Sequence, residues 1–597
     1  MLEVFDCVYK TMKTLISLFD SEFIKKFGGL LGGLLAFFLF SKVIFFGFSN
    51  YDDNIYLTSN EFVKNLTLTN IAYIFTHQFY GHYFPITLTF TSFQYFFFGD
   101  WAGGYHLMNL LVHTLNTILV FELIKKFRFK PSEAFFAALV FGLHPIQVET
   151  VAWLGATNNV LATFFMLSAW LFYFVYLEKK TLFNYLILLT LFLVGCLSKS
   201  SAIVFPILLF IIDIYLENKA YVKAFLLKLP LLVFSVLFGL ISVKAANHFG
   251  SLAPVLESYS WFNVPFLVLY QLCFYGVLFI MPFRLKIRYN NPIEVNGLLP
   301  IEYYAAVIFI FIIVGIFLYS KSKKQLLFLL SWFIVAVGLT LKFRYSTNVI
   351  GADRYAYFFL PVFPLLLLNI KSINKYFKYG FLLLIVFISV VFTFQRLEVW
   401  RNSKTLFQDL VENADGDSKP FLFRGLNFIK EKQYEAALID LETAVKIDST
   451  SAKNRNAFAT ANLLLDKKQE AKSQYKKAIE LDPKLPNPYF HLGNIYGAEA
   501  EYQKSEQYFL KHLELNPSHG ETYFWLGNIR IIDENYFGAL QQYKKAEEHN
   551  YLTPALQINK GYCYLNLEEN AKACAAFIKA KEMGSPNADA LIAKHCI

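Results

Sequence analysis

The sequence predicts an all-α protein in two parts, a polytopic bundle of transmembrane helices followed by an α-solenoid of short repeats. Of the 597 residues, 56% are hydrophobic and 18% are aromatic, and long apolar runs follow one another through the first 400 residues. Such a composition at this length is typical of a chain that crosses a bilayer many times. From residue 401 onward the small and aromatic residues recur with a period of 34, which indicates stacked helical repeats. We therefore predict a membrane domain over 1–400 and a repeat domain over 401–597.

The charge distribution does not imply a nucleic-acid partner. The net charge is +10, but residues 401–597 hold 25 Lys and Arg against 26 Asp and Glu, so the excess lies in the membrane domain. Its basic residues fall mostly in short loops between apolar runs, as cytoplasmic loops of membrane proteins do. Lys25 and Lys26 precede the first long apolar run, 28–48. The N-terminus is therefore predicted to be cytoplasmic, and residues 1–27 lack the pattern of a cleaved signal peptide.

Two adjacent carboxylates, Asp52 and Asp53, follow the first apolar run on its predicted outer side. Neighbouring carboxylates cannot both ionise freely in a low-dielectric site, so one can serve as a base while the other acts as a ligand or modulator. The alternative is a pair of solvated loop acids. Residues 54–104 are aromatic but too broken for a span, which predicts helices lying along the outer surface.

Polar side chains recur within the next apolar segments. His106, Asn109, His113 and Asn116 are spaced by three or four residues, so they share one helix face that should point into the bundle, either as a site or as interhelical hydrogen bonds. The apolar stretch 133–177 is interrupted by the segment from His144 to Glu149, which contains Pro145 and is predicted to mark the outer membrane face.

Several cations could meet an anionic head group on the side of the acid pair. Lys199 separates two short apolar runs, 182–197 and 202–216, where an isolated charge is costly without an anion. Later charges join it, although each alone could be a solvated residue. They are Arg284, Lys286, Arg288, Asp353 and Arg354.

The basic loops set the predicted topology. Basic loops, predicted to be cytoplasmic, lie at 125–130, 178–180, 217–223, 321–324 and 371–378. Two spans fit between each neighbouring pair of these loops, except between 223 and 321, where three apolar runs occur. The run 264–282 is predicted to start at Pro265, to be interrupted at Gly276 and to end at Pro282, so we predict that it is re-entrant or lies on the outer surface. The result is eleven spans and an exported repeat domain. The six cysteines form no metal-binding spacing; Cys563 and Cys574 could pair, but two buried thiols are favoured.

The repeat domain has the tetratricopeptide pattern, with five units over about 419–586. Small residues let paired helices approach, and a larger side chain fills the space between units. Asn494 and Asn528 fall where such solenoids hydrogen-bond an extended peptide, although Asn there also serves packing. The repeating registers are Gly425, Ala459, Gly493, Gly527 and Gly561; Ala437, Ala471, Ser505, Ala539 and Ala573; Ala444, Ala478, His512, Ala546 and Ala580; and Leu441, Tyr475, Phe509, Tyr543 and Phe577.

A series of short motifs, in this order and followed by a solenoid, resembles the transmembrane and tetratricopeptide-repeat protein O-mannosyltransferases and their bacterial relatives. The resemblance runs nearly end to end. The motifs are Tyr51-Asp52-Asp53; Pro85-Ile86-Thr87; Gly104-Tyr105-His106-Leu107-Met108-Asn109 with His113; His144-Pro145 with Glu149-Thr150-Val151-Ala152-Trp153; Lys199 with Pro206 and Asp213; and Ala352-Asp353-Arg354-Tyr355.

The resemblance implies a membrane glycosyltransferase of the C-type fold that moves a sugar from polyprenyl-phosphate-mannose to Ser or Thr hydroxyls of exported proteins. It implies Asp52 as the base, with Asp53 assisting, and acceptor recruitment by the repeats. It implies no cofactor, since the lipid carries the activated sugar; no metal ligands are predicted, and a divalent ion is compatible with the site. Together with the cations noted above, and with Arg344 as a further cation for the leaving phosphate, the predicted donor-binding residues are His106, His144, Glu149, Lys199, Arg284, Lys286, Arg288, Arg344, Asp353 and Arg354.

The sequence departs from the family pattern at two places. Bacterial relatives often show a second His where Gln147 stands, and a stretch with both charges where Thr157-Asn158-Asn159 stands. These departures bear on the donor sugar and on the strength of the activity. Two other classes of protein are alternatives: an O-antigen ligase-like transferase, and a non-catalytic membrane scaffold that gathers proteins on its repeats. The former class places its working residues in a large loop late in the membrane domain, whereas the late loops here are short. A scaffold should be unaffected by substitution of Asp52.

Overall fold

The computed structural model describes residues 19, 21–217, 221–248, 253–255, 259–343, 345–346, 349–371 and 373–596. The chain divides into two compact units, Met1–Asn413 and Ala414–Ile597. The regular structure of the described part is helical except for one short antiparallel strand pair, β1 (Ala253–Pro254) with β2 (Tyr345–Ser346), and a few isolated bridges. The predicted all-α class is confirmed.

The membrane unit consists of helices of very unequal length. Short helices fill the aromatic stretch after the acid pair, as predicted. In chain order the α-helices are α1 (Glu22–Phe40), α2 (Glu61–Lys64), α3 (Leu68–Thr76), α4 (Pro85–Phe98), α5 (Ala102–Lys126), α6 (Pro131–Leu143), α7 (Val148–Ala152), α8 (Thr157–Glu178), α9 (Leu182–Ser198), α10 (Phe205–Tyr215), α11 (Tyr221–His248), α12 (Val264–Ile280), α13 (Ile301–Ala305), α14 (Ile308–Leu318), α15 (Lys323–Gly338), α16 (Val362–Leu368), α17 (Lys375–Val399) and α18 (Ser403–Glu412).

Six of the helices in the described part are long and apolar enough to cross a membrane, and a bent pair could add a seventh span. The six are Glu22–Phe45, Ala102–Lys126, Leu154–Glu178, Phe225–Asn247, Ile301–Leu318 and Lys375–Val399. Shorter apolar helices cover Leu182–Ser198, Ser200–Tyr215 and Val264–Ile280. The chain is thus a membrane protein, as its composition predicts.

Close helix packing in the bundle depends on glycine. A Cβ placed on Gly28 or Gly33 of α1 would lie 2.8 Å from side-chain carbons of Phe121 and Ile118 on α5. Only a residue without a side chain permits this approach, as at many helix contacts within membranes. The polar face predicted on α5 is buried in the bundle: His113 contacts the Tyr357 hydroxyl at 2.8 Å, and the Asn116 amide donates to the Val160 carbonyl at 3.0 Å.

The predicted interruption at His144 is present. The paired segments on either side, Pro131–Leu143 and Pro145–Ala152, are bent by 50°. The His144 Nδ1 accepts a hydrogen bond from the Ile146 amide at 3.2 Å, so the side chain satisfies a donor that the proline break leaves free.

Helix α12 corrects one expectation. It runs without a break through Gly276, so the predicted interruption at that residue is wrong. Gln271 holds this helix to the segment 340–350. Its side-chain amide donates to the carbonyls of Thr340 and Ile350, and its side-chain oxygen accepts from the Lys342 amide. The outer-surface location of this helix stays a prediction.

The boundary between the two units lies further along the chain than predicted. Helix α18 belongs to the membrane unit, because the Arg396 guanidinium donates to both oxygens of Asp409 at 3.1 Å and the Asn50 amide donates to the Ser403 hydroxyl at 2.9 Å. The membrane unit therefore extends to Asn413, instead of ending at residue 400.

The second unit contains the five predicted helix pairs and a final helix. Each repeat glycine faces the ring or branched side chain of its own second helix: a Cβ on Gly493 would lie 2.5 Å from Phe509, and one on Gly527 would lie 2.4 Å from Tyr543. The helices are α19 (Lys419–Lys430), α20 (Tyr434–Ile447), α21 (Ala452–Leu464), α22 (Lys468–Leu481), α23 (Asn487–Ala498), α24 (Tyr502–Leu515), α25 (Gly520–Ile532), α26 (Tyr536–Glu548), α27 (Pro554–Asn566), α28 (Asn570–Glu582) and α29 (Ala588–His595).

The cysteines of the repeat unit differ from the favoured prediction. Cys574 forms a disulfide with Cys596, which joins α28 to the end of α29, while Cys563 is a buried free thiol. Cys563 lies in a buried cluster with Leu556 of its own helix and Tyr543 of the preceding repeat.

His512 makes the repeat unit sensitive to acid. It occupies a position that is alanine in the other four repeats, it is fully buried, and its ring lies 4.8 Å from His519. Burial lowers its pKa to about 4, and the nearby His519 and His491 add to the effect. A histidine in the unfolded chain binds a proton near pH 6.5, whereas buried His512 binds one only near pH 4. The free energy of unfolding is therefore unaffected above pH 6.5 and decreases as the pH falls toward 4; at pH 5 the decrease is about 2 kcal/mol.

Substitution of His512 tests this assignment. His512→Ala should weaken the dependence of repeat-unit unfolding on pH between 7 and 5, as measured by hydrogen exchange in the full-length protein. An unchanged dependence would show that His512 does not carry the acid sensitivity.

Candidate active site

The acid pair lies on an irregular segment between the first span and the π-helix Asn54–Thr58. Asp53 is buried, and its two oxygens already accept three hydrogen bonds, from the Ser49 amide (2.8 Å), the Ser49 hydroxyl (2.8 Å) and the Gly155 amide (2.9 Å). Burial raises the pKa of Asp53 to about 7, against the effect of these donors. Asp53 is therefore suited to holding the acid segment onto the Trp153–Ala156 turn rather than to accepting a substrate proton.

Asp52 differs from Asp53 because it lines a cavity. The volume of this cavity is about 670 Å³. Burial raises the pKa of Asp52 above its usual value, and Arg354 opposes the shift. Its backbone is in the left-handed region with φ of 69°, a conformation that Asp tolerates better than most residues and that surrounding contacts must hold.

The cavity is lined by both polar and apolar side chains. The polar residues of the lining include Asp52, Tyr56, His82, Asn158, Asn159, Lys199 and Arg354. The apolar part of the lining includes Ile203, Val243, Ala246, Leu339, Leu341 and Phe343. Lys199 and Arg354 also line a smaller adjoining cavity of about 200 Å³, together with Met166 and Tyr357. Two cations beside apolar side chains are a lining that suits an amphiphile with an anionic head and a hydrocarbon chain.

Arg354 is held by Glu149. The Arg354 guanidinium donates to one Glu149 oxygen, and its backbone amide donates to the other at 2.8 Å. The guanidinium carbon lies 5.3 Å from the ring centre of Trp153 and 5.1 Å from that of Tyr355. Glu149 is only 1% exposed, so its carboxylate depends on this partner.

Lys199 is held by a neutral group. Its ammonium donates to the Asn159 side-chain oxygen, and the Asn159 amide is oriented in turn by the Asn158 side chain at 3.0 Å. Burial lowers the pKa of Lys199 to about 7, and Arg354 adds to the effect. An anion in the cavity would favour the charged form of Lys199. The departure from the family pattern at Asn159 thus leaves a positioned cation without a paired carboxylate at that residue.

Asp353 lies next to the cavity residue Arg354 but is buried. It accepts a hydrogen bond from the Tyr289 hydroxyl at 2.7 Å. Burial, with the neighbouring Glu149 carboxylate, raises the pKa of Asp353 well above its usual value. This contact joins the turn Asp353–Ala356 to the loop that follows α12.

Other predicted donor-binding residues are not among those lining the cavity. His106 is buried next to Phe46, and the His144 ring is occupied by the Ile146 amide and the Phe279 carbonyl. Arg284, Lys286 and Arg288 lie on the loop after α12 and do not line the cavity. Arg344 lies outside the residues that the structure describes.

Several residues that line the cavity are not predicted as site residues from the sequence. Tyr56 and His82 come from the aromatic segment after the acid pair, and Tyr355 follows Arg354. Burial lowers the pKa of His82 to about 4, so the ring is neutral at physiological pH. Only the position of Tyr56, one helical turn beyond Asp52, carried a usable signal in the sequence.

The two repeat asparagines differ from each other. Asn528 accepts from the Tyr543 hydroxyl at 2.7 Å and from the Asn559 amide at 2.8 Å, so it serves packing. The side-chain oxygen of Asn494 is buried and has no hydrogen-bond partner within the described residues. Asn494 remains the better candidate for binding an acceptor peptide.

Family models match part of each unit. Residues 85–244, which include Glu149, Asn159 and Lys199, match the family described as dolichyl-phosphate-mannose-protein mannosyltransferase. Residues 467–499 and 486–519 match two repeat models, described as TPR repeat and tetratricopeptide repeat. Part of the membrane unit is thus similar to a mannosyltransferase family, and part of the second unit is similar to tetratricopeptide repeats. The acid pair precedes the matched part of the membrane unit.

Solved structures resemble part of the chain. A crystal structure of MamA is 23% identical over 24% of this chain and 84% of its own, with a TM-score of 0.23. Pseudomonas aeruginosa pilF is 20% identical over 29% and 80%, with a TM-score of 0.28. YrrB, described as a TPR protein with an unusual peptide-binding site, is 22% identical over 32% and 97%, with a TM-score of 0.27. No curated protein gave a significant match.

Proposed function

We propose that this protein transfers a sugar, mannose by family likeness, from a polyprenyl-phosphate carrier to Ser or Thr hydroxyls of exported proteins. The observation that carries the proposal is that Asp52, Lys199 and Arg354 line one cavity. A base and two cations are the groups that attack by a hydroxyl and departure of a phosphate require. The match to the mannosyltransferase family supports the donor class.

Each part of the cavity has a role in this reaction. The hydroxyl oxygen attacks the anomeric carbon, Asp52 accepts the hydroxyl proton, and the bond from that carbon to the phosphate oxygen breaks. Lys199 and Arg354 stabilise the negative charge that develops on the polyprenyl phosphate. The apolar lining near Ile203 and Val243 provides room for the first part of the hydrocarbon chain. Asp53 acts through position, because its oxygens are already occupied.

The repeat unit is proposed to recruit the acceptor polypeptide. Its charge is nearly balanced and its five repeats are intact, so it offers a binding surface rather than a second reaction site. The repeat-model matches support protein binding.

Deletion of the repeat unit, residues Ala414–Ile597, separates recruitment from chemistry. Because α18 stays with the membrane unit, the deletion should weaken transfer to whole proteins about tenfold or more while sparing transfer to a short peptide at high concentration. Rates on both acceptors, measured with one membrane preparation, decide the matter. Equal losses on both would mean that the repeats support the membrane unit structurally.

The proposed topology has a cytoplasmic N-terminus, an exported repeat unit and eleven spans, so the bent pair and several shorter apolar helices, such as Leu182–Ser198 and Ser200–Tyr215, must cross the membrane in addition to the six long helices. The Cys574–Cys596 disulfide supports the exported location, since disulfides persist in oxidising compartments.

Single cysteines at Arg288, Ser322 and Ser418 test this topology in a protein that keeps the disulfide but lacks its free thiols. A membrane-impermeant reagent should label the first and third positions and not the second. Protection of position 418 in intact cells would contradict an exported repeat unit.

A further inference from the structure

The acid segment is held on one side by residues more than three hundred positions away in the sequence. The Gly47 amide donates to the Arg401 carbonyl at 3.3 Å, and the Asn50 amide donates to the Ser403 hydroxyl at 2.9 Å. These two donors flank Ser49, which binds Asp53. An irregular segment has no ladder of its own, so its backbone donors must find such partners.

Trp400, which lies next to these residues, supports Trp153, and Trp153 contacts both the acid segment and Arg354. The buried Trp400 ring stacks on Trp153 with centroids 5.9 Å apart and an angle of 25°. Trp153 donates its indole N–H to the Tyr51 carbonyl at 2.8 Å, and the Arg354 guanidinium lies over its ring. Trp400 thus supports one side chain that touches both the acid segment and the proposed phosphate-binding cation.

A buried ion pair fixes this region to the last span. Arg396 is 8% exposed, and its Nη1 donates to both Asp409 oxygens at 3.1 Å. Charge-assisted contacts that are shielded from water are strong and directional. Arg396 also interacts electrostatically with Asp353 and Tyr289. The pair therefore anchors α18 near the turn that carries Arg354.

We propose that the segment Trp400–Asp409, which we call the linker clamp, positions Asp52 and Arg354 for transfer. Ser403 and Trp400 are its positioning residues; neither lines the cavity. Asp52 has a left-handed backbone, which persists only when its surroundings hold it, and the clamp supplies two of the contacts to its segment. The inference rests on the proposed transferase function for its kinetic test, but the clamp's hold on the acid segment can be measured without any activity.

The experiment compares three variants of the full-length protein. Ser403→Ala removes the acceptor of the Asn50 amide, Ser403→Thr keeps a hydroxyl, and Lys404→Ala changes an exposed neighbour as a control. Ser403→Ala should lower kcat about three- to tenfold with little change in KM for the donor, and should shift the acidic limb of the pH profile, because Asp52 moves relative to Arg354. Ser403→Thr should restore most of both, and Lys404→Ala should change neither.

Hydrogen exchange provides the readout that is independent of activity. In Ser403→Ala, amides of residues 46–54 should exchange faster while those of α5 and α6 stay unchanged. Normal kinetics and normal exchange in Ser403→Ala would overturn the proposal, and so would a general loss of protection without the shifted pH profile. If the wild-type protein transfers no sugar, the proposed function fails, while selective exchange at 46–54 still decides whether the clamp holds the acid segment.

Discussion

Asp52→Asn should lower the rate of sugar transfer by about 10²- to 10⁴-fold, the usual loss when a general base is removed. The amide keeps the size and polarity of the carboxylate but cannot accept a proton. Asp52 lines the cavity with Lys199 and Arg354, so its loss should reduce kcat while donor binding remains. Purified protein in lipid, with a polyprenyl-phosphate sugar and a Ser/Thr peptide, provides the measurement.

Asp53→Asn is the matched control. It alters a residue whose oxygens accept hydrogen bonds from Ser49 and Gly155. Asp53→Asn should therefore reduce transfer less than Asp52→Asn does, but should disorder the acid segment more.

The rate of transfer by the wild-type protein should fall as the pH is lowered, and this fall should begin at a pH above the usual range for an aspartate. Burial raises the pKa of Asp52, and only the ionised carboxylate is a base. Undiminished transfer by Asp52→Asn would end the assignment, and a scaffold protein would behave in that way.

Arg354→Met should have the second largest effect, on both folding and transfer. It leaves the buried Glu149 carboxylate with the backbone amide but without its cationic partner, and breaking a buried ion pair from one side costs about 3–5 kcal/mol of unfolding free energy. It also removes a cation from the proposed phosphate site, for which a loss on the order of 10²- to 10³-fold in transfer is expected.

The double variant Glu149→Gln with Arg354→Met separates the two effects. A neutral amide needs no counter-ion, so most of the unfolding free energy should return, while transfer should stay low because the cation is still missing. Thermal unfolding and peptide transfer, measured on the same preparations, give both quantities. Recovery of transfer in the double variant would mean that Arg354 serves only to neutralise Glu149.

Local patterns in the sequence predicted a large part of this architecture. The 34-residue period predicted the helix pairs, because each glycine must face the bulky residue of its own unit, as Gly493 faces Phe509. The placement of Lys199 between two apolar runs, and of Asp52 after the first span, predicted charged groups that need partners. The structure brings both to one cavity. These features depend on near neighbours or on the cost of a charge in an apolar setting.

Features that depend on packing between distant segments could not be predicted in this way. The sequence favours His106 and His144 as donor-site residues because they face inward, but an inward side chain can also satisfy a backbone group of another helix, as His144 does with Phe279. The sequence shows Asn159 as a missing charge, and only the packing shows that its side chain also holds Lys199. The contacts of Ser403 with the acid segment have no local signal, so the boundary at residue 400 was placed too early.

The most direct test of the account is transfer by the purified full-length protein in lipid vesicles supplied with polyprenyl-phosphate-mannose and a Ser/Thr peptide. The account predicts a peptide heavier by one hexose, linked through a hydroxyl oxygen, that forms with wild type and is nearly absent with Asp52→Asn. A folded wild-type protein that transfers neither mannose nor another hexose from such a carrier to any hydroxyl acceptor would contradict it.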